Sequence, residues 1–114
     1  MSYAEAKAAK QKQTRDAHRR RTIENQALLR AYLREHPCTD CGEWDIVVLE
    51  FDHLRDKTAN VSRLVHIAPW PRVLEEIAKC EVACANCHRR RTARRAGYHS
   101  WGAVDQEVFS DCAS

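Results

Sequence analysis

Apolar residues fall unevenly along this chain, and their spacing divides it. From Ala4 to Glu35 no Gly or Pro interrupts a run rich in Ala, Lys, Gln, Arg and Glu, all good helix formers. Ser2-Tyr3-Ala4-Glu5 fits a capping box. The pattern predicts one long helix over 4–35. Its first half lacks an apolar stripe and reads as a solvated basic arm. Its second half carries Ile23, Leu28, Leu29, Tyr32 and Leu33, close enough to helical spacing to dock one face. Pro37 ends the helix by driving His36 out of the α region.

Shorter elements follow. Cys38 to Gly42 reads as a turn. Ile46-Val47-Val48-Leu49-Glu50-Phe51 is short and β-branched, so a strand is expected. Asp52 to Asn60 is polar and reads as loop, with a helical turn over Val61 to Val65. Pro71 suits the first position of a helix from Arg72 to Lys79, with Val73, Leu74 and Ile77 facing inward. Glu81-Val82-Ala83 fits a second short strand, and Cys87 to Arg95 a last helix closed by Gly97. Residues 98–114 show no period.

Composition changes this picture by thinning the core. The chain has 114 residues, room for one domain, and 44% are apolar, but sixteen of those are Ala. Leu, Ile, Val and Phe make up only 21 residues, so another device must support the fold. Six cysteines are the candidates. No run of apolar residues is long enough to span a membrane. No apolar segment with a cleavage site follows Met1, so a reducing, cytoplasmic setting is expected, where paired cysteines more often bind metal than form disulfides.

Charge is balanced only in sum. Residues 1–36 hold nine Lys/Arg against four Asp/Glu, and residues 84–99 hold five Arg and no acid. Between them, residues 37–83 hold nine acids against five bases. Basic flanks suggest a polyanionic partner. An acidic centre repels phosphate, unless some of its carboxylates hold a divalent cation.

The chemistry lies in two sets of residues. Cys38-Thr39-Asp40-Cys41 and Cys84-Ala85-Asn86-Cys87 are two C-x-x-C turns, and two such turns complete a tetrahedral four-thiolate zinc site. A redox pair would need only one of them. Buried thiols are the plain alternative, and Cys80 is a competing ligand by its spacing to Cys84. Separately, Asp52-His53 ends the first strand and His88 follows the second turn. On a helix His88 points about 100° away from Cys87, so the cysteines can face zinc while His88 faces elsewhere. Asp52 and His88 are then candidate ligands of a hard cation such as Mg²⁺, and His53 a candidate base.

The pattern Cys38-x-x-Cys41-Gly42, then Phe51-Asp52-His53, then Lys79 through Cys84-x-x-Cys87-His88-x-x-x-Thr92 resembles the HNH endonuclease family, in particular small bacterial and phage members with a four-cysteine zinc site. The resemblance covers roughly Pro37 to Ala96. It implies an α+β fold, a zinc-stabilised ββα-metal (HNH, His-Me finger) domain over 37–97. Residues 1–36 would form a basic N-terminal helix and 98–114 a tail. It implies a metal-dependent hydrolase cutting or nicking DNA, with His53 as general base. Asp52 and His88 would hold catalytic Mg²⁺ or Mn²⁺, and Cys38, Cys41, Cys84 and Cys87 structural zinc. The family's middle Asn, which orients the base, falls nine residues before the last His, where this chain has Lys79. Phosphate contacts are expected from Arg89, Arg90, Arg91, Arg94 and Arg95, from Lys79, and from Arg19, Arg20 and Arg21. The alternative is a zinc-dependent nucleic-acid-binding module without catalysis.

Overall fold

A computed structural model describes residues 2–97. The tail over 98–114, with Cys112, lies outside the described residues. The order of elements is α1 (Tyr3–Glu35), β1 (Leu49–His53), α2 (Val61–Ile67), α3 (Trp70–Ile77), β2 (Cys80–Cys84) and α4 (Ala85–Ala96), with one 3₁₀ turn at Ile46–Val48. This is a small α+β chain whose sheet has two antiparallel strands. Among the described residues no helix is long and apolar enough to cross a membrane.

The long helix starts at its expected cap. The Ser2 hydroxyl accepts from the Glu5 backbone, and the Glu5 carboxylate accepts from the Ser2 backbone. Residues 2–21 of this segment are all exposed. Beyond them the helix docks through Leu29, Tyr32 and Leu33. His36 leaves the helix at φ −132°, as its position before Pro37 requires.

The third helix covers Trp70–Ile77 and not 72–79, with Leu74 exposed, and the first strand differs from the sequence expectation at both ends. Ile46-Val47-Val48 is not strand, because the Asp45 side chain accepts from the Val47 backbone and winds these residues into a 3₁₀ turn. The strand instead runs from Leu49 through Asp52 and His53, which the sequence pattern left in a loop. Leu49 pairs with Cys84, Asp52 with Glu81 and His53 with Cys80. Residues 61–67 and 70–77 wind into helices, the second with Pro71 in its first turn. Gly97 closes α4 at φ +60°, a left-handed position that glycine takes without a Cβ penalty.

The core is two small clusters rather than one. Leu33, Cys38, Leu49, Val82, Ala83, Cys84 and Cys87 form the first, around the cysteine turns. Val61, Leu64, Val65, Ala68, Val73 and Ile77 form the second, between α2 and α3. Leu29, Tyr32 and Phe51 pack against both and join them.

One buried polar residue locks α1 onto α2. The Asn25 amide donates to the carbonyls of Val65 at 3.0 Å and Ala68 at 2.7 Å, satisfying the end of α2. Replacing Asn25 with Leu leaves those carbonyls unpaired in the interior, at a cost of about 1–3 kcal/mol. Urea unfolding of Asn25→Leu is expected to show that loss, and a midpoint equal to wild type would contradict this account of the helix contact.

Candidate functional site

The two cysteine turns, at 38–41 and 84–87, lie far apart in the sequence and meet in the fold. In the first, Gly42 takes φ +80° and returns its N–H to the Cys38 carbonyl at 2.9 Å. The Thr39 N–H donates to the Val82 carbonyl, fastening this turn to β2. In the second, Cys84 caps α4, its sulfur accepting from the Cys87 N–H at 3.4 Å. As a result the sulfurs of Cys38, Cys41, Cys84 and Cys87 all lie within 4.8 Å of one another. Cys41 and Cys84 are 3.8 Å apart at sulfur. Tetrahedral zinc with bonds of about 2.3 Å sets its sulfurs about 3.8 Å apart. The four residues can therefore hold a metal ion such as zinc. Burial and the neighbouring Cys84 and Cys38 push the Cys87 thiol up to about 12, so a cation entering the cluster must displace its proton. Cys80 stands outside the group. Its thiol donates to the Glu76 carbonyl at 3.4 Å, and burial pushes it up to about 11.

Beside this cluster lies a dense ionic network on the first strand. Alternation puts Glu50 and Asp52 on one face of β1 and Phe51 and His53 on the other. Asp52 is only 2% exposed. Arg95 grips both of its oxygens, at 2.8 and 2.7 Å, and Arg91 adds a third bond at 2.8 Å. Hydrogen bonding from Arg95, then from Arg91, overcomes burial and holds the Asp52 carboxyl down at about 2. Arg91 also forks onto Asp40 of the first cysteine turn, with two bonds of 2.7 Å, and reaches Glu81 at 3.3 Å. His88 sits between the two acids of the strand, its Nδ1 2.8 Å from Glu50 and its Nε2 3.5 Å from Asp52.

A second network surrounds His53. Its Nε2 lies 2.8 Å from Oε2 of Glu76, a residue with no exposed surface. Glu76 also accepts from the Thr58 backbone and hydroxyl, from both terminal nitrogens of Arg72, and from Lys79. These bonds, led by the Thr58 hydroxyl, hold its carboxyl well below the usual carboxylate range despite burial. Lys79 further donates to the Asp56 carbonyl at 3.0 Å, and Asp56 is the one non-glycine at positive φ, +46°, among the described residues.

His53 and His88 open onto one groove of about 450 Å³, shared with Glu50, Lys57 and Ser62 and floored by Leu29 and Leu33. The structure thus gathers His53 and His88 at the groove and sets Asp52 behind His88. Three expected phosphate contacts are engaged internally. Arg91 and Arg95 neutralise Asp52, and Lys79 neutralises Glu76, because a buried carboxylate without a cation beside it is costly. Arg89 and Arg94 are exposed, while Arg90 is half-buried and its Nη1 has no hydrogen-bond partner. Arg19, Arg20 and Arg21 are exposed on α1, the last two bordering a depression with Pro69 and Trp70.

Sequence reasoning missed Glu76. The signal was present: Glu76 interrupts the apolar stripe of Val73 and Ile77, with Arg72 four residues before it on the helix and Lys79 three residues after it, just past the helix end. An acid within an apolar stripe has a partner inside the fold.

Comparison with protein-family models, with curated proteins and with solved structures finds no match. If the four sulfurs hold zinc, elemental analysis of purified protein finds one zinc per chain. Cys84→Ala or prolonged EDTA then removes both the metal and the cooperative thermal transition. A protein free of metal that melts unchanged after EDTA would contradict this.

Proposed function

We propose that this chain is a metal-dependent DNA endonuclease of the HNH type, built on a zinc-stabilised ββα-metal unit formed by β1, β2 and α4. The observation that carries the reading is that His53 and His88 line one groove, with Asp52 3.5 Å from His88 behind it, beside four cysteines suited to zinc. In this reading Asp52 and His88 would hold Mg²⁺ or Mn²⁺, which would supply positive charge to the scissile phosphate. The imidazole and carboxylate fit a cation's donor set, and Arg95, half-exposed, is the partner that must withdraw from Asp52 to admit one.

His53 acts as the base. With Nε2 bonded to Glu76, its other ring nitrogen is the one that accepts the proton of the attacking water. The water oxygen bonds to phosphorus, the bond to the 3′ oxygen breaks, and that oxygen takes a proton from solvent. The products carry 5′-phosphate and 3′-hydroxyl ends. Phosphates on either side are held by the exposed Arg89 and Arg94 and by Arg19, Arg20 and Arg21 on α1.

A second reading has one observation in its favour. Arg91 and Arg95 already satisfy Asp52, as a nucleic-acid-binding module without catalysis would allow. Supercoiled plasmid separates the two. The nuclease reading expects relaxation or cutting with Mg²⁺ or Mn²⁺, loss of at least about 10²-fold in His53→Ala, and retained zinc and fold in that variant. Plasmid bound but left intact by wild type and variant alike at every metal tested would favour the binding module.

A further inference from the structure

The family pattern leaves the base of this chain without its usual orienting residue, since Lys79 stands at that position. We propose that Glu76 of α3 is the positioning residue of His53, fixing which ring nitrogen keeps its hydrogen. The inference rests on the nuclease reading, because it assigns Glu76 to the reaction in which His53 is the base.

The geometry is specific about the hydrogen. Glu76 is a carboxylate that already takes donors from three sides. Its Oε1 receives the Thr58 hydroxyl at 2.7 Å, two Arg72 nitrogens at 3.2 Å and Lys79 at 3.2 Å. Its Oε2 receives the Thr58 N–H at 3.2 Å and faces His53 Nε2 at 2.8 Å. A carboxylate holding two cations stays ionised and only accepts, so the hydrogen of this last bond belongs to Nε2. The neutral ring then has its lone pair on Nδ1 alone, as a base requires. Lys79 has a part in this arrangement. It neutralises Glu76 and ties it to the loop over Asp56 and Thr58, so the ring's support comes from a neighbouring helix and not from the strand's own partner.

The arrangement also says what Glu76→Gln must do. The amide oxygen faces the guanidinium and the ammonium at the Oε1 position, because an NH₂ there would meet two cations that can only donate. The NH₂ therefore falls at the Oε2 position, where it gives up the single Thr58 N–H bond and donates toward His53. Nε2 becomes the acceptor, and the hydrogen moves to Nδ1. The ring stays in place with its lone pair on the wrong nitrogen.

The test is long-range ¹⁵N–¹H correlation of the His53 ring at mildly alkaline pH, beside single-turnover cleavage of plasmid by the full chain with Mn²⁺. Wild type is expected to carry its hydrogen on Nε2 and Glu76→Gln on Nδ1. The cleavage rate at saturating protein should fall on the order of 10²-fold, with DNA affinity within about twofold of wild type. A purely structural role would move stability without inverting the ring. Cleavage by Glu76→Gln within about twofold of wild type, or a ring tautomer unchanged by the substitution, overturns the proposal. If Glu76→Gln does not fold, the wild-type ring decides: hydrogen on Nε2 upholds the proposal and hydrogen on Nδ1 overturns it. If wild type cuts no DNA, the nuclease reading fails on that result, while the wild-type and variant spectra still decide whether Glu76 sets the ring.

Discussion

The meeting of two cysteine turns, one at residues 38–41 and the other at 84–87, is the constraint on which the other elements depend. Everything between them, two strands and two short helices, hangs in one loop closed by four sulfurs within 4.8 Å. Closing that loop sets Leu49 against Cys84, and the register of the whole two-stranded sheet follows. The apolar support is modest, with each cluster holding only a few large side chains. A bound structural metal contributes on the order of 10 kcal/mol in small domains, where the hydrophobic core alone is marginal. The same closure brings α4 to β1. Without it His88 would have no reason to lie 2.8 Å from Glu50 and 3.5 Å from Asp52.

Electrostatics takes over where the core ends. Part of the acidic middle of the sequence is drawn into internal ion pairs. Asp40, Asp52 and Glu81 converge on a single guanidinium, that of Arg91, which joins the first cysteine turn, both strands and the last helix. Glu76 does the same in reverse, collecting His53, Arg72 and Lys79 around one carboxylate. Both hubs are more than nine-tenths or nearly nine-tenths out of solvent at the side chain, so removing one partner would strand a buried charge. The basic flank and the acidic centre are therefore partly one another's counterions.

Much of this was legible in the order of residues, and the reasons for the rest are physical. The capping box at Ser2, the break at Pro37, the turn at Gly42 and the helix end at Gly97 are local signals, and each element begins or ends there. The strand was displaced by a few residues because Asp45 bonds the backbone two positions on, an interaction that β-branching alone does not reveal. Asn25 and Glu76 were invisible for another reason. Asn25 reaches carbonyls 40 and 43 residues away, and Glu76 reaches a histidine 23 residues away. The arginines of α4 looked like a uniform phosphate-binding flank, since helical spacing does not register that Asp40 and Asp52 wait across from two of them.

The proposed function requires two distinct metal positions in one small chain: zinc among four sulfurs, and a harder cation between Asp52 and His88. Crystals grown from zinc-replete protein and soaked in Mn²⁺, with anomalous diffraction recorded at both absorption edges, would locate each ion separately. The account predicts a zinc peak enclosed by Cys38, Cys41, Cys84 and Cys87, and a manganese peak touching Asp52 and His88 with the Arg95 guanidinium moved off the carboxylate. Manganese absent from that position while Arg91 and Arg95 remain bonded to Asp52 would contradict it.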